Sequence, residues 1–378
     1  MKLVGKEVLF IKTKPGNPRN GESTFLRLND GRVMFAYTEY YGDSGEDDAI
    51  AHICACFSAD EGETWSEPEL IIEKDEKAKN IMSPSLVRMN NGDAGILYLR
   101  KEIMPDGGLT CMPVFRRSSD EGKTWSEMTR CAIPEGYYCG VNDTALRLKS
   151  GRILYSASYH GLRYGRSTLD LKPHPGDVRF VYSDDDGKSW DILPAVIETP
   201  YSDMTGLAEP GVLELDDGTL WCWFRTGYGF QYDSLSHDGG AEWEPVRPNF
   251  RFTSPDSPMR VKKIGSRAAA VFNPVGFNIM NTATEAWSSP KRTPIVCSVS
   301  DDGGASFADR KTTSVNGGLK GFRENTYLLE TDLSESYCYP SAVAVKDGLL
   351  VSYYHSGGTP FCLNCSKIVK IRFDELSR

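Results

Sequence analysis

"SADEGETW", residues 58–65, returns as "SSDEGKTW" at 118–125 and as "SDDDGKSW" at 183–190. Looser copies follow as "SHDGGAEW" from Ser236 and "SDDGGASF" from Ser300. Each carries a serine, then an aspartate, then a glycine, then an aromatic residue in one fixed spacing. In such a turn Asp60 can accept hydrogen bonds from nearby backbone N–H groups, Gly62 can supply a positive φ, and Trp65 can pack between adjacent sheets. A turn kept at intervals along the chain is a structural unit, so these turns are read as staples in an array of repeats.

A second pattern runs beside the first: apolar alternation, a turn at Asp/Asn/Ser-Gly, then a β-rich run. It reads "TFLRLNDGRVMFAYT", "SLVRMNNGDAGILYL", "TALRLKSGRILYSAS" and "GVLELDDGTLWCWFR", then more loosely "MRVKKIGSRAAAVFN" and "SAVAVKDGLLVSYYH". These are six β-hairpins with turn glycines at 31, 92, 151, 218, 265 and 348, and five of them lead into one of the repeated turns. One hairpin with one such turn makes a four-stranded sheet. The expected fold is therefore all-β, a six-bladed β-propeller with four-stranded antiparallel blades over residues 1–378 as one domain. The amino-terminal "KEVLFIK" is expected to complete the last blade beside "SKIVKIRF", which leaves no open edge. The one helical expectation is a short helix near Glu73 to Lys79.

A net charge of −9 argues against nucleic acid or an anionic membrane surface as partner, since both are bound through clustered Lys and Arg. An anionic substrate would need its own local arginines. The start, "MKLVGKEVLFIKTK", is too charged for a signal peptide or an anchor, so the chain reads as cytoplasmic unless a leader was removed. Ten cysteines scattered through strand-like runs read as buried free thiols. "CLNC" at Cys362 to Cys365 has the spacing of a zinc pair but no second pair near it. With five scattered histidines and no phosphate loop, HExxH or G-x-S-x-G, no metal or cofactor is expected.

With six hairpins and five such turns, the chain resembles the Asp-box propellers of the sialidase (neuraminidase) superfamily over essentially its whole length. The turn itself implies fold rather than activity. The resemblance implies a glycoside hydrolase acting on a terminal acidic sugar, with site residues at matching positions. "AEPGVLELDDGTLWCWFR" is similar to the segment in which a glutamate opens an inner strand and an arginine follows the hairpin, which places Glu209 as base and Arg225 as a ligand of the sugar carboxylate. "ESYCYPSAV" resembles the strand of the tyrosine nucleophile and puts Tyr339 there, with Tyr337, two residues away on the same strand face, as the alternative. A tyrosine suits an anomeric carbon that bears a carboxylate, because a carboxylate nucleophile would be repelled. A phenol with a pKa of about 10 needs an adjacent base to attack.

Arg292, in "KRTPIVCSVSDDGG", stands at the place of a further carboxylate-binding arginine. The first arginine of the family stands in an Arg-Ile-Pro motif, whereas this chain reads "NPRNGESTF", so Arg19 is the candidate and Arg260 the substitute. For the general acid, the acidic loop "YYGDSGEDDAIAHICACFSAD" offers Asp47, with Asp43 and Asp48 as alternatives and His52 beyond them. Two other readings stay open: a propeller glycosidase or lyase for another sugar such as a uronic acid, and a non-catalytic carbohydrate-binding propeller.

Overall fold

The turns at the six hairpin glycines, five of them Asp/Asn/Ser-Gly and one Ile264-Gly265, all join antiparallel strands. The computed structural model describes residues 1–131, 133–162, 175–199, 206–276, 292–309, 325–358 and 363–376. After β1 (Lys6–Ile11) the chain builds blade one from β2 (Arg19–Arg27), β3 (Val33–Tyr40), β4 (Ala51–Ser58) and β5 (Glu69–Ile72). Blade two is β6 (Ala78–Arg88), β7 (Ala94–Ile103), β8 (Leu109–Ser118) and β9 (Thr129–Arg130). In blade three the inner position is split between β10 (Tyr138–Cys139) and β11 (Leu146–Arg147), both paired with β12 (Ile153–Tyr159); β13 (Asp177–Ser183) and β14 (Asp191–Ile192) follow. Blade four holds β15 (Ala208–Glu214), β16 (Leu220–Arg225), β17 (Phe230–Ser236) and β18 (Arg247–Thr253). Blade five holds β19 (Arg260–Ile264), β20 (Arg267–Phe272), β21 (Ile295–Ser300) and β22 (Thr326–Glu330). Blade six is β23 (Tyr337–Val345), β24 (Gly348–His355) and β25 (Cys365–Arg372), closed by β1, whose Lys6 lies opposite Lys370 and Ile11 opposite Ser366. The blades touch in ring order, inner strand to inner strand except where β12 of blade three meets β15, and β23 returns to β2.

The core lies between blades. Met34, Ala36 and Ile53 of blade one pack with Leu86, Ile96 and Tyr98 of blade two, and Phe25, Phe35 and Cys56 meet Leu350 and Ile368 across the closure. Strands covered by a neighbour on each face become near-continuous apolar runs, as in "VMFAYT" of β3 and "LWCWF" of β16. No helix among the described residues is long and apolar enough to cross a membrane.

The repeated turns fasten one blade to the one before it. In the first, Gly62 N and Ser58 Oγ pair at 2.8 Å, and Asp60 accepts from Thr64 N at 2.9 Å and from Thr64 Oγ1 at 2.6 Å. The turns at Asp120 and Asp185 repeat this with Thr124 and Ser189. Gly62 has φ +86, and a Cβ there would stand 2.5 Å from Leu350 of blade six, so glycine is required twice over. The residue before it, Glu61, is also left-handed, and its carboxylate accepts from Lys346 N in the blade-six hairpin turn. Glu121 does the same for Asn29 N, and Asp186 for Asn90 N.

One expectation is corrected. Residues Glu73 to Lys79 form no helix: β5 ends at Ile72, a turn follows, and β6 begins at Ala78. Asp75 accepts from Lys77 N at 3.0 Å and Ala78 N at 3.1 Å, a local bonding pattern that outcompetes an isolated helix of two turns. Among the described residues the α-helix is instead Ala305–Ala308, inside the fifth repeated turn. Of the nine described cysteines eight are buried and Cys139 is half-buried. Of the "CLNC" pair, Cys365 is buried at the start of β25 and Cys362 lies outside the described residues.

Candidate active site

Each blade carries one residue in the left-handed backbone region within or beside its inner strand: Glu22, Ser83, Asp143, Glu209, Asp256 and Tyr339. Four of them sit in β-bulges, where register slips between Gly21 and Thr24, Met82 and Ser85, Ala208 and Gly211, and Cys338 and Ser341. Asp143 falls in the break between β10 and β11, and Asp256 just ahead of β19. A bulge with positive φ re-aims a side chain that the pleat would otherwise send between blades. The starts of the inner strands converge on the propeller axis, at the end opposite the hairpin turns and the repeated turns.

On one side of the axis Tyr339 Oη donates to Glu209 Oε1 at 2.6 Å, across 130 residues of sequence. Arg225, at the end of β16, donates through Nη1 to Glu209 Oε2 at 2.8 Å and to Tyr339 Oη at 3.3 Å, and through Nε to Asp256 at 2.7 Å. Burial, then the Glu209 carboxylate, push the Tyr339 phenol well above its ordinary range, while Arg225 and Arg292 pull it down. Burial opposes the charge on Arg225, but Asp256 and Glu209 outweigh it and hold that guanidinium firmly protonated. Arg292 lies with its Cζ 5.8 Å from the Tyr339 ring centre and donates to Asp256 O at 2.9 Å. Its buried Nε has no hydrogen-bond partner among the described residues, which leaves a donor for a ligand.

On the other side Arg19, at the start of β2, donates through Nε to Tyr354 Oη at 2.9 Å, through Nη1 to Asp47 Oδ1 at 2.5 Å, and through Nη2 to Glu22 Oε1 at 3.2 Å. The loop between β3 and β4 that carries Asp47 is clamped: Asn80 Nδ2 and Lys101 Nζ donate to the Asp47 carbonyl at 2.7 and 2.6 Å. The Asp47 side chain remains 51% exposed. Ser83 Oγ donates to Glu22. Burial, the dominant cause, lifts the Glu22 carboxyl to about 7 against the pull of Arg19. The Tyr354 and Tyr339 rings meet edge to face at 5.8 Å and join the two sides.

The structure therefore gathers Tyr339, Glu209, Arg225 and Arg292 into one cluster and Arg19 with Asp47 into a second beside it. It does not gather the alternatives. Tyr337 is fully buried, its ring edge-on to Tyr353 and His355 at 5.9 and 5.3 Å. The expectation that Tyr337 and Tyr339 share a strand face fails because the bulge at Tyr339 breaks the alternation between them. Arg260 is buried with Nη2 on the Asn142 carbonyl at 2.6 Å, and burial lowers its pKa. Asp48 pairs with Lys101 at 3.0 Å, and Asp43 is exposed. His52 bonds Glu39 at 3.2 Å under the Tyr41 ring, at the foot of the Asp47 loop. With Cys54 these two bring three ligand-type atoms within 4.8 Å, a group already closed by its internal bonds.

Sequence reasoning missed Glu22, Ser83, Asp256 and Tyr354. A signal existed for the first three. Glu22, Ser83, Glu209, Asp256 and Tyr339 each stand nine residues before the hairpin glycines 31, 92, 218, 265 and 348, and Asp143 stands eight before Gly151.

A family model described as "BNR repeat-like domain" matches residues 31–352. The anhydrosialidase of Macrobdella decora is 29% identical over 136 residues, 35% of this chain and 16% of that protein, so the match spans about a sixth of the curated relative. The fold is similar to the intramolecular trans-sialidase from Ruminococcus gnavus in complex with oseltamivir carboxylate, with TM-score 0.69, 14% identity and 98% of each chain covered. It is also similar to the Trypanosoma rangeli sialidase bound to 2,3-difluorosialic acid as a covalent intermediate, with TM-score 0.70, 14% identity, and 98% of this chain and 59% of that one covered.

Proposed function

The chain belongs to the family of BNR repeat-like domains and is a sialidase-superfamily propeller, and from that premise we propose that it is a retaining exo-glycosidase that removes a terminal sialic acid through a tyrosine nucleophile. One observation carries the reading: the Tyr339 phenol bonded at 2.6 Å to Glu209, with Arg225 bonded to both. A buried phenol held above its ordinary pKa cannot attack unaided. Glu209 takes its proton as Tyr339 Oη bonds to the anomeric carbon, and Asp47 gives a proton to the departing glycosidic oxygen. Arg292, Arg225 and Arg19 hold the sugar carboxylate, with fork-shaped donors suited to two parallel bonds. Water then attacks the tyrosyl sugar with Asp47 as base, and Glu209 returns the proton to the phenol. Asp47 exchanges its proton with solvent through its exposed half.

The test is a fluorinated sialic acid with a good leaving group, followed by peptide mass analysis. The mass of one sugar on the peptide containing Tyr339, absent in Tyr339→Phe, is expected; label on a carboxylate peptide overturns the tyrosine nucleophile. A second reading is favoured by the two relatives named for anhydrosialidase and intramolecular trans-sialidase activity. There a hydroxyl of the same sugar replaces water, and the released product weighs one water less than free sialic acid.

A further inference from the structure

In the two clusters that face a ligand, leaving aside Asp143 with its own Lys262 at 2.8 Å and Arg260 on the Asn142 carbonyl, the charges do not balance in favour of an anion. Arg19, Arg225 and Arg292 contribute three positive groups among the described residues, and Glu22, Asp47, Glu209 and Asp256 four carboxylates. A sugar carboxylate would be a fifth negative charge in a desolvated space, where like charges repel strongly. Two of the arginines already face carboxylates on this chain. Arg225 lies between Glu209 and Asp256, and Arg19 between Asp47 and Glu22. An incoming anion must share or displace one of these partners.

Glu22 is placed to be the one that yields. It holds the same left-handed station on blade one that Glu209 holds on blade four and Tyr339 on blade six, so its carboxyl is delivered to the axis by the same bulge. It is buried, whereas Asp47 reaches solvent. From its own strand Arg19 faces it. From the elements packed against it come Tyr40 of β3, Asp47 of the β3–β4 loop, Ser83 of β6, Glu209 of β15 and Tyr354 of β24. Lys101 of β7 reaches that neighbourhood through the Asp47 carbonyl. Resting on the reading of the site as an acidic-sugar site, we propose that Glu22 competes with the substrate's carboxylate for Arg19, so that binding an acidic sugar carries one proton onto Glu22. Glu22 is then a positioning residue: charged, it holds Arg19 ready in the empty site, and neutral, it gives Arg19 up to the ligand while Ser83 stays beside it.

The sign follows from burial. The Glu22 carboxyl sits at about 7 in the free protein. A bound anion raises it further, so affinity is full below about 7 and falls up to about tenfold per pH unit above it. The experiment is calorimetric titration of the 2,3-didehydro glycal of sialic acid from about pH 5.5 to about pH 8.5, in buffers of different ionisation heat, which counts the protons taken up. The wild type is expected to take up close to one proton above neutrality. Glu22→Gln is expected to bind with no uptake and a flat profile, and Asp47→Asn to keep the uptake. Uptake surviving in Glu22→Gln, or vanishing in Asp47→Asn, overturns the proposal. Should Glu22→Gln not fold, the infrared difference spectrum of the wild type decides: a new protonated-carboxyl band on binding supports it, and no band overturns it. An unsaturated uronate serves as second probe. Uronate binding with proton uptake, without glycal binding, overturns the sialidase reading and leaves Glu22 its role. Glycal binding without uptake does the reverse, and binding of neither probe overturns both.

Discussion

The two ends of the propeller use one backbone device for opposite purposes. At the hairpin end Glu61, Glu121 and Asp186 adopt left-handed backbone and aim carboxylates at backbone N–H groups of the preceding blade. At the other end Glu22, Glu209 and Tyr339 adopt it and aim side chains at the axis, where they meet one another and the arginines. The first arrangement satisfies donors, and in it the Glu61 carboxyl falls to about 2, through Arg27 above all, as that of Asp60 beside it does through Thr64. The second buries charge beside charge and drives Glu22 and Tyr339 upward. Local strain serves stability where the re-aimed carboxylate closes on backbone N–H groups and a surface arginine, as Glu61 does on Arg27 and Glu121 on Arg88, and chemistry where buried ionisable groups crowd together at the axis.

The comparison breaks first at Tyr339→Phe. With the fold intact, turnover of an aryl sialoside is expected to fall roughly 10³-fold or more while melting shifts little; a near-normal kcat would take the nucleophile out of the scheme. At the other end Trp190→Ala is expected to cost about 3–5 kcal/mol, since its ring is buried against Phe115 of the preceding blade. Denaturant midpoints at an unchanged slope measure this. Trp125, half-buried in its own repeat, should lose less when truncated, and an equal loss would show that the two turns are not graded by burial. Arg225→Lys is expected to weaken glycal binding about 10–100-fold with stability nearly kept, because an ammonium lacks the planar fork that serves Glu209, Asp256 and a ligand together.

The smallest effects separate the ends by sign. Asp60 has a depressed pKa, so its contribution is complete above the ordinary carboxylate range and is lost as pH falls toward about 2. Glu22 has a raised one, so the folded state is favoured below its ordinary value of 4.5 and loses that advantage as pH rises to about 7. Melting curves against pH should therefore show Asp60→Asn differing least from wild type at the acid limit, and Glu22→Gln gaining on wild type above neutrality.

What could be read from the chain was what recurs. Ser58, Asp60, Gly62 and Trp65 do the same work in each copy, so the same residue types return at the same spacing and the blades could be counted. Hairpin glycines fixed the strand order for the same reason, and β1 beside β25 was legible as an apolar run that needed an edge. Glu209, Arg225, Arg292 and Tyr339 were reached only through resemblance, because the axial ring reads Glu, Ser, Asp, Glu, Asp, Tyr and each member has a different task. Nothing local in "NPRNGESTF" marks Glu22 as facing Arg19, Ser83 and Glu209. Tyr337 and Tyr339 look interchangeable until the bulge parts them. Sequence determined the repeat, because turn geometry and apolar alternation are properties of neighbours along the chain. Tertiary structure alone decided the site, because charge coupling and burial depend on groups that ring closure brings together from five of the six blades.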